Sequence, residues 1–432
     1  MENKAGNSME DKMCLAEGLV IPASFEKLGH NLNVAVIGGT GSGKTVSYTE
    51  SKLTHTYTSS VVVPLAKIKI KKKFIKLFED RGYKVVDMDF TNPEKCIVGY
   101  DPLDYVHSDS DVIQLARNLI GGNASASRTG EADPYWNESA ISVLAAVIML
   151  AIAEAEDMGL RATFGDVIRL YRKLKVDFSK SVVETTLDAR FAKLKRIHPE
   201  NQGPELWKTI QGLAPRTASC LLSIANSAID KIFSEDVIKI TEKKGKVSFR
   251  ELGCKKVALF ITTSPVNKTL QNLVNLFYAD LFKELFEAAE KSDEGRLAVP
   301  VNVICDDFAC GSKINDFEEY ISIFRAAGIS VTLLLQSESQ LSGMYGKTAA
   351  TTIINNCDTY LYMGGMDIET CQNVALRMNR PLHKVLSMPL GQVVVFRRGE
   401  EPYIAKRYQT LNDSVYREIM NLDMVNDDAM AM

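Results

Sequence analysis

The stretch Gly38-Gly39-Thr40-Gly41-Ser42-Gly43-Lys44-Thr45 constrains this chain more than any other. A glycine, four residues and then Gly-Lys-Thr is the pattern of a loop that wraps a phosphate chain, the P-loop. It needs a strand before it and a helix after it, and both are legible. Residues 32–37 read Leu-Asn-Val-Ala-Val-Ile, a buried-strand run, and the residues after Lys44 can open a helix. Glycines let backbone N–H groups turn inward around phosphate oxygens with no Cβ in the way, and the helix N-terminus adds its dipole. Lys44 is then expected to reach the β- and γ-phosphates, and the Thr45 hydroxyl to ligate Mg²⁺. The pocket for ATP and Mg²⁺ is read as Gly38, Gly39, Thr40, Gly41, Ser42, Gly43, Lys44 and Thr45. The alternative is a glycine-rich turn with no ligand, which requires all eight positions and the flanking strand to coincide by chance.

The rest of the chain alternates strands and helices around this loop. A length of 432 residues is too great for one compact core and predicts two or three domains. Residues 1–30 read as a polar lead-in, with 20–28 as a first strand or turn. Apolar strands are expected at 59–63, closed by Pro64, and at 82–89, with Asp101-Pro102-Leu103 opening the next helix. From 133 to 245 strand signals vanish and helical periodicity takes over, at 139–156, 163–174, 178–192 and 204–233. Strands return at 256–262, 301–305, 330–335, 359–363 and 392–396, with a long amphipathic helix at 270–289. Strand–helix alternation implies a parallel α/β sheet. The pattern predicts a nucleotide-binding domain over 31–132 and 246–432, interrupted by an all-α domain over 133–245.

Composition removes several function classes. A formal net charge of -3 argues against a chain that coats nucleic acid wholesale, while leaving room for a local basic groove. One basic run, Lys67-Ile68-Lys69-Ile70-Lys71-Lys72-Lys73-Phe74-Ile75-Lys76, fits a solvated amphipathic helix or a contact to an anionic polymer or acidic lipid surface. Eight cysteines are scattered without a CxxC pair or zinc spacing, as expected for reduced, buried thiols in a cytosolic compartment. Residues 1–18 carry no signal-peptide pattern. The longest apolar run, 140–153, falls short of the roughly 20 residues that cross a bilayer and reads as a buried core helix.

A phosphate loop that supports hydrolysis needs an acidic partner. Val303-Ile304-Cys305-Asp306-Asp307 is an apolar strand ending in two carboxylates. Asp306 is expected to hold Mg²⁺, directly or through water, and Asp307 to polarise the attacking water as general base. Two helix-capping aspartates are the plainer alternative. Leu333-Leu334-Leu335-Gln336-Ser337 puts the Gln336 amide at the end of a buried strand, placed for the γ-phosphate or the attacking water. Arg325, at the end of a helix before Gly328, is either an arginine offered to a phosphate in a neighbouring subunit or a surface ion-pair donor.

Taken in order, the P-loop, Asp133-Pro134-Tyr135-Trp136, Phe249-Arg250-Glu251-Leu252-Gly253, Asp306-Asp307-Phe308-Ala309, Arg325-Ala326-Ala327-Gly328-Ile329-Ser330, Gln336-Ser337, Asn356-Cys357-Asp358-Thr359 and Gly364-Gly365 resemble the type IV secretion coupling proteins, the TraG/TraD-type conjugative ATPases. The likeness runs from about residue 31 to 408. It implies a RecA-like P-loop ATPase domain with a parallel-rich sheet, interrupted by an all-α domain. It also implies a homo-hexameric ring when active, at the cytoplasmic face of the inner membrane, with the isolated chain either a ring or a monomer. The partners it implies are single-stranded DNA or a DNA–relaxase complex, protein substrates or adaptors, and components of the secretion channel. In that pattern Arg325 is the arginine presented across the subunit interface and Gln336 the γ-phosphate sensor. Three departures stand out: Asp306-Asp307 where the family carries Asp-Glu, Val63-Pro64-Leu65-Ala66-Lys67 in place of Asp-Pro-Lys-Gly-Glu, and no N-terminal membrane helices, as expected of a trimmed soluble part or of a variant that docks on a partner. The competing readings are a DNA-pumping ATPase of the segregation or resection type and a weakly hydrolysing nucleotide-dependent substrate receptor.

Overall fold

The computed structural model describes residues 9–65, 68–92, 94, 96–121, 134–263, 267–306, 308 and 313–420. Thirteen strands are present among them. In chain order they are β1 Lys12–Ala16, β2 Leu19–Pro22, β3 Val34–Ile37, β4 Ser60–Pro64, β5 Lys84–Asp89, β6 Val98–Gly99, β7 Gly245–Lys246, β8 Val257–Thr262, β9 Val301–Cys305, β10 Ile329–Leu335, β11 Thr359–Tyr362, β12 Gln392–Arg397 and β13 Tyr403–Lys406. Nine form one sheet in the order β13-β12-β11-β3-β10-β9-β4-β8-β5. The seven strands from β11 to β5 run parallel, and β12 and β13 add an antiparallel edge. The class is α/β with a mostly parallel sheet, as the alternating pattern predicts, and of the RecA-like P-loop type that the resemblance implies.

Strands buried on both faces read as unbroken apolar runs, and successive side chains go to opposite sides. On β3, Ala35 and Ile37 join one core while Val34 and Val36 join the other; Val62 of β4 opposes Val61 and Val63 in the same way. The first core is continuous with the helices at 134–241. Helix Pro134–Asp157 is 24 residues long, and its middle turns are apolar on nearly every side because they are enclosed in the core. Its length and composition suffice to cross a bilayer, yet 78% of its apolar window is buried inside the molecule. Buried carboxylates tie this block to the segment after β6, and that segment to the helix at 268–290. Asp101 accepts hydrogen bonds from Leu103 N and Phe164 N, and burial raises it to about 6. Asp280, raised by burial to about 7, accepts the Tyr100 hydroxyl.

The second core is closed by both ends of the described chain, and here the expected polar lead-in is corrected. Residues 12–22 form the β1–β2 hairpin with Met13 and Ala16 fully buried, and Asp11 accepts from three successive backbone N–H groups, Tyr57, Thr58 and Ser59. Helix Ile68–Asp80 covers the same face through Phe74 and Phe78, as does helix Ser414–Met420 through Tyr416 and Met420. Two helical expectations also change. Residues 178–187 are a loop rather than the first part of a helix, and helix Asp188–Ile197 comes after it. The single helix expected at 204–233 is two, Gly203–Trp207 and Pro215–Asp230, interrupted where Gly212 takes a positive φ of 88° and Pro215 starts the second. Of the seven described cysteines, five are buried, while Cys220 and Cys254 are exposed; none is in a disulfide.

Candidate functional site

The P-loop leaves the carboxyl end of β3 and winds into a π-helix, Thr45–Glu50, continued by the short helix Ser51–Thr54. Its glycines answer steric demands. Gly41 and Gly43 take positive φ of 78° and 83°, and a Cβ on Gly38 would lie 2.6 Å from Ser42 Oγ. Behind the loop, Gly39 N donates to Gly364 O at 2.8 Å, and a Cβ on Gly39 would lie 3.8 Å from Gly365 Cα. This packing is a physical reason for the Gly364-Gly365 pair. Lys44 Nζ donates to Gly38 O at 2.5 Å and to Gly39 O at 3.3 Å, so the ammonium lies across the mouth of its own loop. The Ser42 hydroxyl is buried without a partner among the described residues. Glycine cradle, lysine and orphaned hydroxyl together fit the phosphate chain of a nucleotide.

Sheet order carries the next residues to this loop. In the parallel pairing Leu335 of β10 faces Ile37 of β3, so Gln336 emerges beside Gly38. Cys305 of β9 faces Leu333 of β10, so Asp306 emerges one strand further along. Gly38, Gln336 and Asp306 thus stand just past the carboxyl ends of three adjacent strands, where open α/β sheets bind ligands. Asp307 lies outside the described residues. Gln336 is steadied by the helix that begins two residues later. Gln340 Nε2 donates to its Oε1 at 3.4 Å, and Ser337 caps helix Glu338–Tyr345. The buried Glu338 carboxylate accepts from Tyr360 Oη at 2.7 Å, Asn373 Nδ2 at 2.6 Å and Arg377 Nη1 at 2.8 Å.

Arg325 is elsewhere. It sits in the last turn of helix Phe317–Ala327, and its Nη2 donates to Gly29 O at 2.7 Å, at the amino ends of the strands. The seven residues of β10 separate it from Gln336, on the order of 20 Å at about 3.3 Å per residue. No arginine side chain spans that length, so Arg325 does not act on the nucleotide of its own subunit.

A profile of the family described as "Type IV secretory system Conjugative DNA transfer" matches residues 6–377. The chain belongs to that family. Among solved structures, the bacterial conjugative coupling protein TrwBdeltaN70, in a trigonal form with sulphate, is similar with a TM-score of 0.65 at 16% identity, over 94% of this chain and 90% of that one. Plasmid coupling protein TrwB in complex with ADP and Mg²⁺ is similar with a TM-score of 0.63 at 16% identity over the same shares. VirB4 of Thermoanaerobacter pseudethanolicus is similar with a TM-score of 0.53 at 12% identity, over 95% of this chain and 98% of that one. At these identities the likeness is one of fold. No curated protein matches the chain.

Other motif blocks of the conjugative-transfer family have structural work here. Arg250 of the Phe249–Leu252 helix holds Glu284 at 2.7 Å and Glu287 at 3.1 Å, bracing the long helix Lys268–Glu290. Asp358 accepts from Asn31 N at 2.8 Å and so fixes the chain just before β3. Sequence reasoning missed Arg407, which comes directly after β13 and donates to Ser42 O of the P-loop. It lies beyond the matched span of the family and in no motif, so no local signal marks it.

Proposed function

We propose that this chain is an ATP-hydrolysing coupling ATPase that recruits DNA or protein cargo and drives it toward a type IV secretion channel, working as a ring with composite sites. One observation carries the reading: the P-loop, Asp306 and Gln336 stand at the carboxyl ends of adjacent strands, while Arg325 stands at the amino ends. Heterologous contacts repeated about an axis close into a ring. In such a ring the arginine of one subunit meets the nucleotide of the next. TrwB, similar in fold, is recorded with ADP and Mg²⁺, and the same ligands suit this loop.

Thr45 and Asp306 would hold Mg²⁺, which when bound neutralises charge on the phosphates. Lys44 leaves the carbonyls of Gly38 and Gly39 for the phosphate chain. Asp307 accepts the proton of the attacking water, Gln336 orients that water or senses the γ-phosphate, and Arg325 stabilises charge from the neighbouring subunit. Single-stranded DNA, a DNA–relaxase complex, protein substrates or adaptors and channel components are the partners, met at the cytoplasmic face of the membrane by a homo-hexamer. A second reading, a receptor that binds nucleotide and hydrolyses little, is favoured by Asp307 standing one methylene short of glutamate.

Steady-state ATP turnover with and without single-stranded DNA tests the proposal. Lys44→Ala is expected to abolish turnover. Arg325→Ala is expected to bind ATP at parental affinity and lose hydrolysis on the order of 10³-fold, the scale of an arginine supplied in trans. Mixing the two variants restores part of the activity, because an intact P-loop then meets an intact arginine. Parental turnover by Arg325→Ala in a demonstrated ring would sink the composite site. Turnover that rises only after Asp307→Glu favours the receptor reading.

A further inference from the structure

Beyond the Arg325 role, the strand-to-helix strap after β13 presents a second arginine to the loop from within the same subunit. Arg407 N donates to Gly391 O at 2.7 Å, and the chain then runs alongside the P-loop helix to residue 416. Hydrogen bonds pin that path. Arg407 Nη1 donates to Ser42 O, Thr410 Oγ1 to Val46 O at 2.7 Å, and the Tyr416 hydroxyl to Glu50, while Asp413 pairs with His55 at 2.7 Å. The strap therefore tracks the loop and its helix from Ser42 to His55, so the start of residue 407 is fixed relative to the phosphate cradle.

At that position the guanidinium lies against Gly43. A Cβ there would stand 2.5 Å from Arg407 Nη1 and 3.0 Å from Cζ, so the guanidinium packs directly on the loop backbone, while glycine at 43 answers to its own positive φ of 83°. The cation has no carboxylate partner among the described residues, and its Nε is buried with no acceptor among them. Arg250 and Arg190, also half-buried, are paired with Glu284 and Glu154, and Arg81, which lacks a carboxylate among the described residues, spends its donors on the Thr54 and Thr56 carbonyls. A planar, permanently charged guanidinium with unspent donors, set on the rim of an anion cradle, is suited to phosphate oxygens and takes them two at a time.

We propose that Arg407 is a nucleotide-binding residue that acts in cis, turning from Ser42 O to the phosphate chain of the nucleotide held in the P-loop. The inference rests on the reading of that loop as an ATP site. It gives the two arginines distinct duties: Arg407 holds the ligand within one subunit, and Arg325 serves the next.

Titrating the full chain with ATP and with ADP by calorimetry tests this. Arg407→Ala is expected to raise the Kd for ATP by about tenfold to a hundredfold, the scale of a charge-assisted hydrogen bond, and Arg407→Lys to recover part of it. Thr410→Val removes a strap bond without removing charge, and its Kd should stay within about twofold of the parent if charge rather than strap integrity is what matters. An Arg407→Ala chain that binds ATP as well as the parent, or more tightly because the guanidinium obstructs the cradle, overturns the proposal. So does equal weakening by Thr410→Val, which reduces Arg407 to a strap anchor. A parental chain that binds no ATP, or binds it equally after Lys44→Ala, instead removes the reading of the loop and this proposal with it.

Discussion

The two faces of the central sheet are covered by different means. One is packed by helices that form a single continuous core with the block at 134–241. The other is closed by the β1–β2 hairpin, helix Ile68–Asp80 and helix Ser414–Met420, so that both ends of the described chain meet over the P-loop helix. The joining groups differ as well. Toward the helical block stand the carboxyls of Asp101 and Asp280, pushed up by burial to about 6 and about 7. Over the P-loop helix stands Asp413, which burial would raise but which hydrogen bonds from His55, Tyr408 and the Tyr416 amide hold below the usual carboxylate range. A stretch that interrupts the chain need not be a separable body. The helices between β6 and β8 are an insertion in sequence and a part of the core in space.

The largest effect should come from testing that statement directly. Replacing residues 135–245 by a short linker strips the apolar cover from the first face and is expected to abolish cooperative unfolding and leave no soluble ATP-binding protein. Ending the chain after Asn412 removes Tyr416 and Met420 from the second face, and truncations of that kind cost on the order of 2–5 kcal/mol per buried large side chain by chemical denaturation. A soluble deletion variant with parental ATP affinity would break the comparison, for the block would then be a domain of its own.

Next in size is a pH effect of opposite sign on the two faces. Asp280 is raised in the folded chain relative to the unfolded one, so its contribution to stability is full below about pH 4, falls as pH rises toward 7, and is flat above. Asp413 is lowered, so its contribution is present above the ordinary carboxylate range and is lost only as pH falls below it. Asp280→Asn keeps an acceptor for the Tyr100 hydroxyl and removes the titration. It is expected to melt a few degrees higher than the parent at pH 8 and to lose that advantage near pH 4. An unchanged melting profile between pH 4 and 8 would show that Asp280 does not distinguish the faces.

The smallest effect concerns the lysine-rich helix Ile68–Asp80. Lys71 is buried, with Nζ on Asp87 at 2.8 Å and Thr262 at 2.7 Å, and Lys73 Nζ donates to Met420 O. Both are structural, which removes them as clean probes of DNA contact. Lys69, Lys72 and Lys76 are exposed on one face. Reversing those three charges is expected to change stability by less than about 0.5 kcal/mol each and to leave the salt dependence of any DNA binding unchanged. A flattened salt slope would make this face a contact to the polymer.

Strands are the most legible part of this chain, because a strand buried on both faces has to be an apolar run and the residue that ends it carries the chemistry. Val301–Cys305 is found at the bounds expected, and Asp306 comes next. The β1–β2 hairpin is hidden by the polar residues around it: strand burial there is set by contact with β12 and the P-loop helix, partners far away in sequence. The loop at 178–187 reads as helix because Val182, Val183 and Leu187 keep helical spacing. Local hydrogen bonds decide otherwise, with Ser179 on Asp177 and Thr185 N on Asp188. At the site, the P-loop is a local pattern and is legible directly. Where Arg325 and Arg407 stand relative to it depends on strand order, which no local pattern carries.

The length of β10 also gives each subunit a polarity. With the phosphate cradle at one end of the strand and Arg325 at the other, each subunit has a front and a back along the direction of its own sheet. Two such subunits meeting face to face would bring cradle to cradle or arginine to arginine, and neither pair would make the composite site proposed above. In the ring proposed above, only contacts that point the same way would serve every site, so such a ring would have a sense of rotation, like the teeth of a ratchet. Subunits of that proposed ring would fire in a preferred order, and a polymer threaded through the centre would feel that order as a direction of travel.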